Sequence, residues 1–336
     1  MRYGLIIILL LLPVVLSCEK LMIENDRENS HVSNFELLWN EMDQKYSFFQ
    51  YKNVDWDSVY HVTRPLIDDS LADQEFFDIL AGMLYSLRDG HVNLYSDFDR
   101  SRSFEWYSGH PENFSGMVQA RYLGHDFRVT GPFMTQVIDS IGYVYCSSFS
   151  DEFSERDIDM VIEQFHDLRG VIFDIRNNSG GLSSTSKRIA SRFSDHPRLV
   201  SFTLYKTGPG HGDFSEPQPN YLLPRGIRQF TGPVAVLSNR RVYSAANDFV
   251  LNMQTLPHVV IIGDQTGGGG GTPYDYELNN GWRCRFPRTQ TLTLDGYNIE
   301  GGILPDIKVN MSRSHERQLI DTIIETAITW IDSQSR

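Results

Sequence analysis

From residue 138 onward, short apolar runs alternate with helical runs, and this alternation constrains the fold more than any other feature of the chain. The apolar runs predict strands at 142–149, 170–175, 234–237 and 259–262, and helical runs follow the first three of them. Alternating strands and helices are typical of an α/β fold, in which helices flank a twisted sheet. We therefore predict that residues 138–332 form one α/β core.

A smaller helical region precedes this core. Between 34 and 97, apolar residues recur at helical spacing and predict about three helices, with Asp55 and Asp73 as N-caps. Residues 98–137 are rich in aromatic residues, Gly and Pro, and we interpret them as a connecting subdomain that is too short to hold an inserted peptide-binding domain. Within the core, Asn-Asn-Gly at 279–281 predicts a hairpin between two alternating runs.

The N-terminal end of the chain has the features of a targeting segment. Arg2 supplies a positive charge, and residues 5–16 form an apolar run that is too short to span a bilayer comfortably. The segment ends in Leu-Ser-Cys at Cys18, which resembles the lipobox of bacterial lipoproteins, where the cysteine is lipidated. The alternatives are an ordinary signal peptide and an uncleaved anchor, and all three place the protein outside the cytoplasm. We predict a signal peptide at 1–18, a polar tether at 19–33, and a lipid on Cys18 that anchors the protein in the cell envelope.

Composition narrows the classes of partner and cofactor. The net charge of −13 argues against nucleic acid and anionic membrane surfaces as partners. Apart from Cys18, the chain has Cys146 and Cys284, which could pair in an oxidising compartment but are more often buried apolar side chains. No Cys/His spacing typical of a zinc site occurs, so we expect no metal.

Ser244 stands where an apolar strand turns into a helix, in the run Val-Tyr-Ser-Ala-Ala-Asn-Asp-Phe at 242–249. Such a bend holds a serine hydroxyl clear of the sheet. Free N–H groups of the turn then lie close to the charge that develops when the serine attacks a carbonyl. A serine before a helix is also a common N-cap, so this segment by itself leaves both interpretations open.

Four separated blocks together resemble one family of serine peptidases, which includes the tail-specific (C-terminal processing) proteases and the tricorn core protease. The blocks are Leu-Arg-Asp-Gly-His at 87–91, Phe-Asp-Ile-Arg-Asn-Asn-Ser-Gly-Gly at 173–181, Tyr-Ser-Ala-Ala at 243–246 and Glu-Gly-Gly-Ile-Leu-Pro-Asp-Ile at 300–307. Residues 39–56 also resemble the small helical domain that precedes the tricorn-type core. The resemblance implies a crotonase- or ClpP-like α/β core with a small helical N-terminal domain and no inserted PDZ domain.

The residue at the position of the catalytic base separates two branches of this family. Tail-specific members carry a lysine in a Gly-rich element that follows the serine. At the corresponding position this chain has Gly269, which cannot accept a proton. His91 and Glu300 match the histidine and the glutamate of the tricorn-type branch, so the chain resembles that branch.

The resemblance implies a role for each matching residue. Ser244 would be the nucleophile, His91 its general base, and Glu300 the group that orients the histidine. The N–H of Ala245 and one N–H from Gly180-Gly181 would form the oxyanion hole. Each residue also has a structural alternative: an N-cap for Ser244, a surface or solvated side chain for His91 and Glu300, and a plain β–α turn for the glycines.

The sequence thus predicts a cell-envelope serine peptidase that hydrolyses unfolded proteins or peptides through an acyl-enzyme, with no cofactor. A histidine base would give a pH–rate limb at about 6–7.5. Two alternatives use the same scaffold: a catalytically silent relative that binds peptide, and a hydrolase of non-peptide acyl substrates. Gly269 and Asn247 are the features that favour the silent relative. Asn247 replaces a glutamate of many relatives, and the run Gly267–Gly271 could be a mobile lip or a relaxed wall of the site. The oligomeric state is not determined by the sequence.

Overall fold

A layer of helices begins the part of the chain that the computed structural model describes, residues 29–334. These helices are α1 (His31–Lys45), α2 (Phe49–Lys52), α3 (Trp56–Thr63) and α4 (Asp73–Tyr85). Asp55 caps α3 as predicted, because its carboxylate accepts the Ser58 N–H. The predicted cap at Asp73 is wrong: Ala72 is the N-cap, and Asp73 lies in the first turn of α4, where its negative charge favours the helix dipole. The predicted signal peptide and the predicted lipid on Cys18 lie outside the described residues.

The remaining strands and helices include those that the alternating pattern predicts, in the predicted order, together with further elements that it does not predict. In chain order they are β1 (Asn93–Tyr95), α5 (Gly116–Leu123), β2 (Arg128–Thr130), β3 (Phe133–Ile138), β4 (Ile141–Tyr145), α6 (Glu155–Phe165), β5 (Gly170–Asp174), α7 (Ser183–Ala190), β6 (Arg198–Tyr205), β7 (Gln218–Leu222), β8 (Val234–Ser238), α8 (Ala245–Gln254), β9 (Val259–Gly263), β10 (Pro273–Glu277), β11 (Arg283–Pro287), β12 (Thr289–Leu292), β13 (Ile307–Lys308), α9 (Arg313–Glu316) and α10 (Thr322–Gln334).

The main sheet has seven strands in the order β13-β9-β8-β5-β4-β3-β2. Its pairings from β13 to β4 are parallel, and β3 and β2 are added antiparallel at one edge. Strands β5 and β8 are buried along their whole length, as expected for central parallel strands covered on both faces. Helices α6, α7 and α8 pack on one face, and α5 and α10 pack on the other. The predicted α/β core with a helical N-terminal region is confirmed.

The N-terminal helices share a hydrophobic core with a hairpin from the far end of the sequence. The cluster formed by α1 to α4 is completed by residues of β10 and β11, including Trp282 and Phe286. Strand β1 pairs antiparallel with β11, with Leu94 opposite Cys284, and the hairpin turn lies at the predicted Asn-Asn-Gly. This packing fixes the segment after α4, which carries His91, against the core.

Cys146 and Cys284 are free thiols buried in separate hydrophobic clusters, so the structure favours the interpretation as buried apolar side chains over pairing. None of the helices in residues 29–334 combines the length and the apolar character that crossing a bilayer requires.

Candidate active site

Ser244 occupies a strained turn between β8 and α8. Its φ is 57° and its ψ is −126°, a conformation that costs a non-glycine residue about 1–3 kcal/mol. Backbone hydrogen bonds hold the turn: the Ser244 N–H donates to the Gly268 carbonyl at 2.9 Å, and the Tyr243 N–H donates to the Asn178 carbonyl at 3.1 Å. The Ser244 hydroxyl makes no capping hydrogen bond to α8. The alternative of a capping side chain is therefore wrong, and the hydroxyl is directed to another partner.

That partner is His91. The His91 Nε2 lies 2.9 Å from the Ser244 Oγ, although the two residues are 153 positions apart. The His91 backbone N–H donates to the Asp89 Oδ1 at 2.8 Å. This hydrogen bond fixes the backbone of His91. The structure thus brings the predicted nucleophile and the predicted base together. The alternative of a surface histidine is wrong, since His91 is only 7% exposed.

Aromatic rings exclude water from one side of His91. The ring centroids of Tyr243 and His91 lie 4.8 Å apart. Trp106 stacks on Tyr243, with 4.2 Å between the two ring centroids. Burial lowers the pKa of His91 to about 4, although the nearby Asp89 carboxylate acts to raise it, and the charges of Arg285 and Arg102 lower it further. The imidazole is therefore neutral, and able to accept a proton, at any pH well above 4.

A buried network of two carboxylates and one lysine lies behind His91. The Lys52 Nζ is 2.8 Å from the Glu300 Oε1 and 3.8 Å from the Asp89 Oδ2. The Tyr46 hydroxyl donates to the Asp89 Oδ2 at 2.8 Å. Burial and the Asp89 charge raise the pKa of Glu300, whereas Lys52 lowers it. Helix α2 and the segment before it supply the lysine and the tyrosine, so the N-terminal helical layer contributes directly to the site.

Glu300 does not contact His91 directly. Its carboxylate binds Lys52 and accepts the Gly270 N–H at 2.9 Å, and the buried His91 Nδ1 has no hydrogen-bond partner within residues 29–334. The direct orienting contact that the sequence analysis expected is therefore absent, because Lys52 and the Gly270 amide hold the carboxylate. Glu300 is also not a solvated carboxylate, since it is only 6% exposed.

Sequence reasoning missed three residues of this network: Asp89, Lys52 and Tyr46. Asp89 stands in the block 87–91, but the sequence analysis assigned no role to it. The signal that could have found it is the hydrogen-bonding capacity of an Asp side chain toward the backbone two residues on. Lys52 and Tyr46 carry no comparable local signal, because their contacts depend on how α2 packs against the Glu300 loop.

The run Gly267–Gly271 is a buried strap between the serine turn and Glu300. All five glycines are buried, and their backbone binds Ser244, Val242 and Glu300. The interpretations as a mobile lip and as a relaxed wall are both wrong. At Gly269 φ is +82°, and a Cβ would lie 2.7 Å from the Tyr243 ring. A lysine cannot replace this glycine without moving the tyrosine that packs on His91.

Asn247 braces the same region. Its side-chain Nδ2 donates to the Ile299 carbonyl at 3.1 Å, and its Oδ1 accepts from the Thr266 hydroxyl at 2.6 Å. Asn247 therefore ties helix α8 to the residue that precedes the strap and to the loop that carries Glu300. This residue, which the sequence analysis set down as a departure from the family pattern, has a structural role.

Two backbone amides face the serine turn as candidate oxyanion donors. Ala245 is the first residue of α8, where an N–H lacks an acceptor inside the helix. The Gly180 N–H already donates to the Asn178 Oδ1 at 2.9 Å. The Gly181 N–H has no acceptor within residues 29–334, so it is the available donor of the predicted Gly180-Gly181 pair. A Cβ at Gly180 would lie 2.7 Å from the Tyr243 carbonyl, so this close approach requires glycine.

These groups open onto a cleft of about 340 Å³, which is lined by Ser244, His91, Tyr243 and the two glycines together with polar and cationic side chains. A larger hollow of about 640 Å³ shares Arg102 and Ser179 with it. A nucleophile, a neutral base and two free amides in one cleft are the groups that acyl transfer requires.

Comparison with known proteins agrees with this chemistry. The sequence profile of peptidase family S41 matches residues 140–309, and that of the tricorn protease C1 domain matches residues 27–85. The carboxy-terminal processing protease CtpA of Bacillus subtilis is 26% identical over 175 residues, which is 52% of this chain and 36% of that protein. The chain spans little more than a third of the length of the curated relatives it matches first.

Solved structures with a similar fold cover nearly the whole described chain. A candidate peptidase from Parabacteroides merdae has a TM-score of 0.86 and 44% identity, covering 90% of this chain and 97% of that one. Mature CPAF in complex with lactacystin has a TM-score of 0.68 at 12% identity, with coverage of 90% and 97%. The photosystem II D1 C-terminal processing protease has a TM-score of 0.55 at 15% identity, with coverage of 84% and 94%. The last two show similarity of fold alone.

Proposed function

The chain belongs to peptidase family S41, and from that premise we propose that it is a serine peptidase with Ser244 as the nucleophile and His91 as the general base. The observation that carries the proposal is the 2.9 Å contact between the His91 Nε2 and the Ser244 Oγ at a strained strand-to-helix turn. A serine hydroxyl is a weak nucleophile until a base takes its proton. The neutral, buried imidazole is in position to do so.

The reaction follows from this geometry. The Ser244 Oγ attacks the carbonyl carbon of the scissile peptide bond while its proton passes to the His91 Nε2. The negative charge that develops on the carbonyl oxygen is stabilised by the N–H groups of Ala245 and Gly181. His91 then gives its proton to the leaving amine, and the acyl group remains on Ser244. A water molecule, deprotonated by His91, releases the acid and restores the serine.

In this proposal Asp89 and Glu300 are positioning residues. Asp89 holds the His91 backbone and places a negative charge beside the imidazole, which favours the imidazolium that forms during catalysis. Glu300 acts through Lys52 and the glycine strap rather than on the imidazole itself. Ser244, His91 and Glu300 would then work together, with the network between the last two in place of a direct hydrogen bond.

The substrates we propose are unfolded proteins or peptides, because the site is an open cleft that can take an extended chain. We further propose that the protein works in the cell envelope, attached by a lipid on Cys18. That attachment is tested by replacing Cys18 with Ala in the full-length chain. Metabolic labelling with a fatty acid and membrane association should both be lost, and retention of both would exclude lipidation at this residue.

The catalytic proposal is tested with a fluorophosphonate probe followed by a peptide-library digest. The native protein and the Ser150→Ala variant should both be labelled, because Ser150 lines the same cleft but makes no hydrogen bond to a histidine within the described residues. Ser244→Ala should be unlabelled and should lose hydrolysis by about 10³-fold or more. Absence of labelling in the native protein would instead favour a silent relative, and labelling without cleavage of any peptide would favour a non-peptide acyl substrate.

A further inference from the structure

Three arginines line the cleft that contains Ser244 and His91. They are Arg100, Arg102 and Arg285, and no aspartate or glutamate is among the residues that line this cleft in the described part of the chain. The protein as a whole carries a net charge of −13. The charged side chains that line this cleft are therefore all positive, whereas the protein as a whole is acidic. This local reversal of charge coincides with the proposed reaction site.

The guanidinium groups of these arginines have no anionic partner within residues 29–334. The Nε atoms of Arg102 and Arg285 are buried and make no hydrogen bond. The two arginines that are fully buried within residues 29–334 are both neutralised: Arg176 pairs with Asp174 and Asp321, and Arg192 pairs with Glu155 and Asp159. A buried, unsatisfied donor on a charged group is costly. Arg102 and Arg285 are therefore available to an anionic partner that the described residues do not provide.

Neighbouring rings hold two of the side chains without cancelling their charge. The Arg100 guanidinium lies 5.0 Å from the centroid of Tyr95, and that of Arg102 lies 5.6 Å from the centroid of Phe104. Strand β11, paired with β1 and β10, holds the backbone of Arg285. An arginine fork that is already positioned binds a carboxylate by two parallel hydrogen bonds at a low entropic cost.

We propose that Arg102 and Arg285, with Arg100 at the rim, form a subsite for a carboxylate of the peptide substrate close to the scissile bond. This inference rests on the proposed peptidase function and specifies its substrate class. The carboxylate has two possible sources, an acidic side chain of the substrate or its free C-terminal α-carboxylate, and both present the same planar anion to the arginines.

Substrate binding at this subsite would also activate the base. The positive charges of Arg285 and Arg102 lower the pKa of His91. A carboxylate bound between them offsets those charges, so the imidazole becomes a stronger base when an anionic substrate is present. Anionic substrates should therefore show a higher kcat as well as a lower KM than their neutral matches.

The test compares two sets of internally quenched octapeptides of Ala and Leu. In the first set a single Glu is moved through every position, each peptide is matched by one with Gln, and all C-termini are amidated. In the second set no Glu is present, and the members differ only in a free or an amidated C-terminus. The enzymes are the native protein, Arg102→Gln, Arg285→Gln and the control Arg283→Gln, whose arginine lies on the same strand but pairs with Asp275 outside the cleft.

We expect the preferred Glu peptide, or the peptide with a free C-terminus, to be cleaved about 10–100-fold faster in kcat/KM than its neutral match, the range for a charge-assisted pair. Arg102→Gln and Arg285→Gln should each remove most of the ratio between the charged peptide and its neutral match, whereas Arg283→Gln should keep that ratio. The set that shows the effect identifies the source of the carboxylate. Equal rates for charged and neutral peptides in both sets would overturn the proposal.

A binding measurement separates this inference from the proposed function. Fluorescence anisotropy with fluorescein-labelled versions of the same peptides is measured on Ser244→Ala, which cannot form an acyl-enzyme. Tighter binding of the anionic peptide, lost when Arg102→Gln is added, supports the carboxylate subsite even if the native protein hydrolyses no peptide. Equal affinity for the matched peptides refutes the subsite even if hydrolysis occurs.

Discussion

Within residues 29–334, Lys52 is the single cation paired with both Glu300 and Asp89, so its removal tests the network behind His91 most directly. Its Nζ lies 2.8 Å from Glu300 and 3.8 Å from Asp89, and the three side chains are 12%, 3% and 0% exposed, respectively. Lys52→Met keeps the length and the apolar stem of the side chain and removes the charge. Both carboxylates then remain buried without a cation.

The magnitude follows from that burial. Removing one partner of a buried ion pair typically destabilises a protein by about 3–5 kcal/mol. In Lys52→Met we expect a loss of about this size in the free energy of unfolding at pH 8. The loss should shrink at lower pH because a carboxylate can take up a proton. The pKa of Glu300 is already raised by burial and by Asp89, and it rises further when Lys52, which lowers it, is gone.

The pH dependence of the stability loss in Lys52→Met comes from the titration of Glu300. A carboxyl group whose folded pKa is raised contributes stability that is present below its unfolded pKa and is lost as pH rises toward its folded pKa. The difference in unfolding free energy between the native protein and Lys52→Met should therefore grow above the folded pKa of Glu300 in the native protein, about 7, where the variant still holds the proton, by up to about 1.4 kcal/mol per pH unit for one proton. Glu300→Gln in the same chain removes the titrating group and should abolish this slope.

The assay is guanidinium unfolding followed by circular dichroism at several pH values. It uses the native protein, both single variants and the Lys52→Met/Glu300→Gln double variant. The double variant should recover a substantial part of the loss at pH 8, which gives a favourable coupling energy between the two positions. A pH-independent loss of less than about 1 kcal/mol, with additive single variants, would show that the pair is solvated and that the reasoning from burial is wrong.

Three further predictions follow from the site. The acid limb of kcat/KM should lie near pH 4 rather than at 6–7.5, because burial lowers the pKa of His91 to about 4; a limb near 6.5 that disappears in His91→Ala would contradict this. Glu300→Gln should lower kcat by about 10–100-fold with little change in KM, because Glu300 acts through the network and not on the imidazole directly; wild-type turnover would remove Glu300 from the mechanism. Gly269→Ala should lower the thermal midpoint more than Gly281→Ala does, because both glycines have a φ of +82° but only a Cβ at 269 meets a ring, that of Tyr243 at 2.7 Å; equal shifts would show that the backbone conformation alone matters.

Much of the fold could be predicted from the sequence because its signals are local. The alternation of apolar and helical runs predicted the α/β core, and Asp55 predicted the start of α3. Local signals were weaker where two interpretations differ by one residue, as at Asp73, which lies inside α4 instead of capping it. The hairpin between β10 and β11 was predicted from its turn, but its packing under the N-terminal helices was not, since no local pattern encodes that contact.

In the candidate site, too, the sequence predicts some residues, whereas the interactions between them depend on the folded structure. Sequence blocks alone predicted Ser244 and His91 as a nucleophile and its base, and the structure brings the two side chains together. Gly269 also excluded a lysine base from the sequence alone. What the residues do to one another depends on distance, burial and charge, which are properties of the folded chain.

The amino-acid sequence by itself determined the α/β class, the family resemblance and the serine–histidine pair. Only the tertiary structure decided that Glu300 faces Lys52 instead of His91, that Asp89 and Tyr46 belong to the network, and that the glycine strap is a buried brace. The physical reason is that electrostatic interactions in a protein depend on separation and desolvation across segments far apart in the chain. The same reason explains why three arginines that are unremarkable in the sequence become one positive cleft in the structure.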